Sequence, residues 1–251
     1  MSLSSACVLD QLPVELLHAL FDYFTTSDIF FTFFNVSNYL NCIVSSYSNH
    51  RIHCRSIQRS HFRLICEHVR AEQVISLILS DANDTPGLSK LFFTYFRMEQ
   101  FIRLQSLTLL EIEHNSLQSI FSDLHKLTRL RALSFNGQTA RYEHSPQGPP
   151  SSFVVKDEDI RPLSQLNRLH LTNCTMLPLT TFPHLRHVKI EGCFTNEFQR
   201  ILQHASKLIS LSVNVNLSRS IFKFSLSNSR LRELRLKIKS KLRKLERKSA
   251  C

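Results

Sequence analysis

Six residues with metal-ligating or nucleophilic chemistry crowd one stretch of this 251-residue chain: His50, His53, Cys54, His61, Cys66 and His68. Imidazole and thiolate are the usual zinc ligands, but structural sites draw them as tight pairs at fixed spacings, and the spacing here fits none of those patterns. We read surface histidines and buried thiols, and expect no metal. Cysteines stand at 7, 42, 54, 66, 174, 193 and 251, without a CxxC pair, so reduced thiols are expected. His184 and His187 flank Leu185-Arg186 and read as cover for a solvent face. No nucleophile stands beside a base, and no paired carboxylates stand in a recognisable setting. The four glycines form no GxGxxG or GxxxxGK[ST] phosphate loop. The chain reads as a non-catalytic protein without a cofactor.

The chemistry that remains is recognition. Formal charge is +11, but ten Lys/Arg against two acids between Arg230 and Lys248 supply +8 of it. The high isoelectric point therefore describes the C-terminal stretch that leads into a basic tail, residues 237–251, rather than a basic domain. Ile238, Leu242 and Leu245 give that tail a thin apolar stripe. It reads first as a solvated tail or a minimal cap on the preceding element. Binding to nucleic acid is not expected, because no aromatic side chain is interleaved for base stacking. No apolar run approaches the roughly 20 residues of a membrane span. The first ten residues lack a charged region followed by an apolar core. A cytoplasmic or nuclear protein without membrane contact is expected.

The elements that would position a recognition surface begin at Val74. A LxxLxL frame recurs at Val74/Leu77/Leu79, Leu104/Leu107/Leu109, Leu130/Leu133/Phe135, Leu166/Leu169/Leu171, Leu185/Val188/Ile190, Leu208/Leu211/Val213 and Leu231/Leu234/Leu236. Alternate inward side chains predict a strand in each frame, and the 19 to 36 residues between frame starts predict return segments. One such unit cannot bury its own face; stacked units can. The first frame runs into Asp81, Asp84, Pro86 and Gly87, so it reads either as a strand or as a loop. Returns of helical spacing are predicted over 116–127, capped by Ser116, and over 196–208. Residues 136–162, rich in Gly, Pro and Ser, predict a loop insertion.

A second apolar concentration precedes the frames, from Leu9 to Tyr47. Leu12, Leu16, Leu17, Leu20, Phe21 and Phe24 make one face of an amphipathic helix, with Pro13 in its first turn. Thr25-Thr26-Ser27-Asp28 predicts a turn, with Ser27 or Asp28 capping a second helix. Ser37 predicts the cap of a third. Residues 51–73 predict a helical connector to the frames.

Leu12-Pro13-Val14-Glu15-Leu16-Leu17, Phe21-Asp22-Tyr23-Phe24 and Asp28-Ile29 resemble the F-box, and Val36-Ser37-Asn38-Tyr39-Leu40 resembles its later segment, without the tryptophan. Cys174, Cys193 and Asn216 stand eight residues after the first apolar residue of their frames, as in the leucine-rich repeat LxxLxLxxN/C. The chain therefore resembles F-box proteins with leucine-rich repeats. That resemblance implies an α/β chain: a three-helix F-box-like element over 1–50, the connector over 51–73, and a curved solenoid of short parallel strands over 74–236. It implies the substrate-recognition subunit of a Skp–cullin–F-box ubiquitin ligase. Leu12, Pro13, Leu16, Leu17, Phe21, Phe24 and Ile29 would meet a Skp-type adaptor, and through it a cullin. A target protein would meet Asn167, Arg168, His170, Arg186, His187, Lys189, Ser210 and Ser212. The other reading is a repeat scaffold without a ligase role, its helices serving as a cap.

Overall fold

A computed structural model describes residues 8–82, 84–136, 165–172, 184–194, 207–216 and 232–239. Eight strands pair in one open sheet whose order follows the chain: β1 His50–His53, β2 Val74–Ser80, β3 Ser106–Leu110, β4 Ala132–Asn136, β5 Arg168–Leu171, β6 His187–Phe194, β7 Ser210–Asn216 and β8 Glu233–Lys239. Every neighbouring pair is parallel.

The frames explain the register. Strand side chains alternate between faces, so leucines two apart share one face. Leu107, Leu133, Leu169, Val188 and Leu211 align across five strands, and Leu109, Phe135, Leu171, Ile190 and Val213 form the next row. All ten are buried. Helices α5 (Leu88–Tyr95) and α6 (His114–Asp123) bring aromatic side chains to this inner face. The Phe121 ring meets Phe135 edge-on at 5.4 Å, and Phe92 stacks on Phe101 at 5.7 Å. The opposite face is polar and half-exposed: Ser106, Thr108, Ser134 and Ser212 lie between the buried positions.

One backbone arrangement repeats at each step. The carbonyl of the second residue in a frame accepts two N–H groups from the next frame. The Gln105 carbonyl takes Arg131 and Ala132, Arg131 takes Asn167 and Arg168, Asn167 takes Arg186 and His187, Arg186 takes Ile209 and Ser210, and Ile209 takes Arg232 and Glu233, at 2.8–3.1 Å. A carbonyl oxygen has two lone pairs, so both bonds can form.

The N-terminal region folds as three short helices, α1 (Val14–Phe21), α2 (Thr26–Phe33) and α3 (Asn38–Ser46). Pro13 precedes α1, where a missing N–H breaks no helical bond. The cap of α2 is Thr25, not Ser27 or Asp28: its Oγ1 accepts from the Asp28 N–H at 3.3 Å while Asp28 Oδ2 accepts from the Thr25 N–H at 3.1 Å. This reciprocal box satisfies two donors at once, which a cap two or three residues later would not. Ser37 caps α3, accepting from the Leu40 N–H at 3.1 Å. The α6 helix begins at His114, before Ser116, and has no side-chain cap.

The three helices share one core with the sheet: Leu17, Phe21, Ile29, Phe33, Leu40 and Val44 run continuously into Ile52, Val74 and Leu77. Polar ties fix the junction. Gln73 Nε2 donates to the Ser45 carbonyl at 2.8 Å, and Arg103 Nη1 donates to the Ser48 carbonyl at 2.8 Å. The Tyr47 hydroxyl donates to Asp22 Oδ1 at 2.7 Å.

Several expectations need revision. The connector over 51–73 contains most of β1 as well as helix α4 (Arg59–His68); β1 extends the sheet because its backbone pairs with β2. The first frame is a strand, not a loop. The last strand continues to Lys239, past the expected start of the tail. The rest of that tail, most of the expected insertion over 136–162 and most of the expected return over 196–208 lie outside the described residues. Among the described residues no helix is long and apolar enough to cross a membrane.

His50, the first residue of β1, is enclosed at this junction between Phe30 and Tyr47, with ring centroids 6.1 and 5.1 Å away. Burial pushes its imidazole down to about 4. Between its ordinary value and about 4 the unfolded chain binds a proton that the folded chain does not, so stability falls as pH falls through that window. Urea denaturation of wild type and His50→Phe should show this as a difference in slope: the wild type loses about 1 kcal/mol per pH unit more than the variant between pH 6 and pH 4.5. Parallel profiles would contradict it. Leu107→Ala should lower stability by about 2–5 kcal/mol in the same assay.

Candidate functional site

Two surfaces remain after the core is assigned. The first is the outward side of α1. Its apolar residues divide sharply. Leu17 and Phe21, three and seven residues into the helix, are fully buried; Phe21 packs on Phe33 at 5.0 Å and edge-on to Tyr47 at 5.4 Å. Leu16 and Leu20, one helical turn apart, are 57% and 36% exposed, and Tyr23 beyond the helix end is 87% exposed. Leu16 and Leu20, spaced i and i+4, share one helix face, and Tyr23 follows two residues past the helix end. Pro13 and Val14 are also exposed, and Val14 adds apolar surface at the start of the helix.

The seven residues expected to meet an adaptor are therefore not one surface. Pro13 and Leu16 are exposed; Leu12 and Phe24 are half-buried against the core; Leu17, Phe21 and Ile29 are inside it. A fully buried side chain offers no area to a rigid partner, so these last three hold the helices together instead. Tyr39, in the segment expected to complete the docking element, donates its hydroxyl to the Leu12 carbonyl at 2.7 Å. It anchors the chain just ahead of α1. Leu20 and Tyr23 were missing from the expected set, although their spacing from Leu16 was readable.

The second surface is the polar face of the sheet, which forms an open concavity of about 500 Å³. Register builds it in two rows. Ala132, Arg168, His187, Ser210 and Glu233 align in one, and Ser134, His170, Lys189, Ser212 and Arg235 in the other. Six of the eight expected target-facing residues line it: Arg168, His170, His187, Lys189, Ser210 and Ser212. Asn167 and Arg186 do not. Each is the second residue of its frame, just before the strand, where its carbonyl holds the next turn. Ser134, Glu233 and Arg235 join the face unforeseen, though they occupy the same frame positions as the expected residues.

Glu191 bridges two strands across this surface. His170 Nε2 lies 3.1 Å from its Oε1, and Lys189 Nζ donates to the same oxygen at 3.2 Å. An ionised carboxylate only accepts, so the His170 proton sits on Nε2. In neutral His170, Nδ1 is then free to accept from the Ser134 hydroxyl, 3.2 Å away. The His170 hydrogen bond, followed by that of Lys189, holds the Glu191 carboxyl below the usual carboxylate range. Glu233 does similar work one step along, accepting from Ser210 Oγ at 3.1 Å and pairing with Arg235 Nε at 2.7 Å.

The histidines and cysteines that could have ligated a metal are dispersed. His61 packs on Phe31, His68 on Phe34, and Cys54 and Cys66 are buried free thiols. Burial pushes the Cys66 thiol up to about 12, so it stays protonated and a poor nucleophile. Among the described residues no three His, Cys, Asp or Glu side chains are grouped to hold a metal ion. Cys174 lies outside the described residues, as do the side chains of Cys193 and Asn216. The chain matches no protein-family model, and it matches none of the curated proteins against which it was compared.

Removing the imidazole tests the electrostatics of the second surface. In His170→Ala the Glu191 carboxyl should titrate at higher pH than in wild type, followed by its carbon NMR signal. An unchanged midpoint would show that His170 does not hold that charge.

Proposed function

We propose that this chain is the target-recognition subunit of a Skp–cullin–F-box ubiquitin ligase, a leucine-rich-repeat solenoid carrying an F-box-like element. The observation that carries the proposal is the exposed apolar set Leu16 and Leu20 on α1 and Tyr23 just past its end, at the site of the motif that resembles the F-box. Isolated exposed leucines are ordinary, but a pair at helical spacing has the form of an anchor set for a hydrophobic groove. On this reading Leu16, Leu20 and Tyr23 enter the adaptor's groove, while Leu17, Phe21 and Ile29 support them from inside.

The solenoid part rests on the sheet. All-parallel sheets are almost always covered on both faces, whereas here no described element covers the polar face, and the strand order follows the chain. Stacked repeats whose returns all run on one side have this arrangement. Its polar face would hold the target. Catalysis would belong to other subunits, and this chain would act by raising the effective concentration of target lysines near the transfer machinery.

A repeat scaffold with a helical cap is the competing reading. The continuous core and the Gln73–Ser45 and Arg103–Ser48 ties favour it, since a cap would be joined to its array in this way. Adaptor binding separates the two. Titration with a purified Skp-type adaptor should give saturable binding that weakens at least tenfold in Leu16→Asp and in Leu20→Asp, with urea midpoints near wild type because both positions are exposed. A folded wild-type chain that does not bind would sink the ligase reading. Asp at Phe21 is unsuitable for this test, because it would place a charge in the core.

A further inference from the structure

We propose that the polar sheet face carries a site for one anionic side chain, a carboxylate or a phosphoryl group, on a bound protein segment, centred on Arg168 and His187. The inference rests on the reading of this face as the one that holds the target.

Among the described side chains, charge pairing across the face leaves one cation open. The described fixed charges are the cations Arg168, Lys189 and Arg235, with the acid Glu233, along the concavity, and the acid Glu191 bonded to His170 and Lys189 beside it. Glu191 takes Lys189 and the His170 N–H; Glu233 takes Arg235 and the Ser210 hydroxyl. Both acids are therefore engaged. Arg168 is exposed and has no ion pair among the described residues. His187 stands opposite it in register on the next strand, and Ser210 follows on the strand after that.

Adjacent strands lie about 4.8 Å apart, close enough for one anion to meet donors from both. A guanidinium presents a planar fork that matches carboxylate and phosphate oxygens in pairs. The two carboxylates define the limits of the site. Glu191 stays ionised because its partners hold its pKa down, so a second negative group placed toward it or toward Glu233 meets repulsion. The face thus favours a single anion within an otherwise neutral or mixed-charge segment. It disfavours a polyanion such as nucleic acid, whose regular charges would meet both acids.

The test uses inorganic phosphate and acetate as the two anions, with chloride at matched ionic strength, on the full chain labelled at histidine. The expected result is a saturable shift of the His187 ring signals by phosphate or acetate and none by chloride; the anion that saturates identifies phosphoryl or carboxylate as the preferred group. Arg168→Gln should weaken that affinity about tenfold or more, and Lys189→Gln, whose cation is already paired, less than threefold. Should the glutamine variant fail to fold, Arg168→Lys keeps the charge and removes the fork, and should still weaken binding measurably. Equal losses in the Arg168 and Lys189 variants, or equal shifts with chloride, would mean a diffuse field and overturn the proposal. Tighter binding of a DNA duplex than of phosphate, lost in Arg168→Gln, would also overturn it in favour of a polyanion surface. A chain that binds the adaptor but neither anion loses this inference alone; one that binds phosphate but no adaptor loses the ligase reading alone.

Discussion

The carbonyl ladder at the entrance to each strand is the constraint on which the rest depends. Gln105, Arg131, Asn167, Arg186 and Ile209 each hold two N–H groups of the following frame. Each paired carbonyl ties the start of one strand to the frame before it, so units are joined by backbone hydrogen bonds as well as by their leucines. The ladder fixes where a new strand starts, and that start fixes the register. Register then decides which side chains share a row, including the two rows of the polar face. The chemistry of that face is therefore assembled from single residues contributed by separate units.

A shared core and side-chain hydrogen bonds join the two surfaces. The helical region is joined to the sheet through a common core and through hydrogen bonds from Gln73 and Arg103 to carbonyls at the end of α3 and just beyond it. Tyr47 ties that end to Asp22, just past α1. A partner held on Leu16, Leu20 and Tyr23 would thus have a fixed position relative to a segment held on the polar face. Proximity-driven transfer benefits from such fixed geometry, because effective concentration falls when the connection is slack.

The frames were legible because their last two apolar residues stand two apart, as inward side chains of a strand do, and their buried rows follow from it. The β1 strand was not legible. His50-Arg51-Ile52-His53 has one apolar side chain of the usual kind, so it shows no alternation; its burial pattern depends on a histidine that the junction encloses. The three-helix region was legible as helices, but not as surfaces. Leu16 and Leu17 differ by one position, about 100° around the helix, and both lie in the broad apolar stripe that sequence reveals. Which of them turns inward is decided by α3 and by Phe33 of α2. Among the residues expected to face a target, those at the third and fifth frame positions line the concavity, while Asn167 and Arg186 at the second position supply carbonyls to the ladder. That distinction depends on hydrogen bonding across units, which no single frame displays.

The central claim is that one exposed helix face binds an adaptor while the sheet face stays free for a target. Hydrogen exchange by mass spectrometry, with and without a Skp-type adaptor, tests both halves at once. Slowed exchange over Pro13–Phe24 with no change over His187–Ser212 is the predicted pattern. Protection confined to the sheet strands, or absent throughout a saturated mixture, would contradict it.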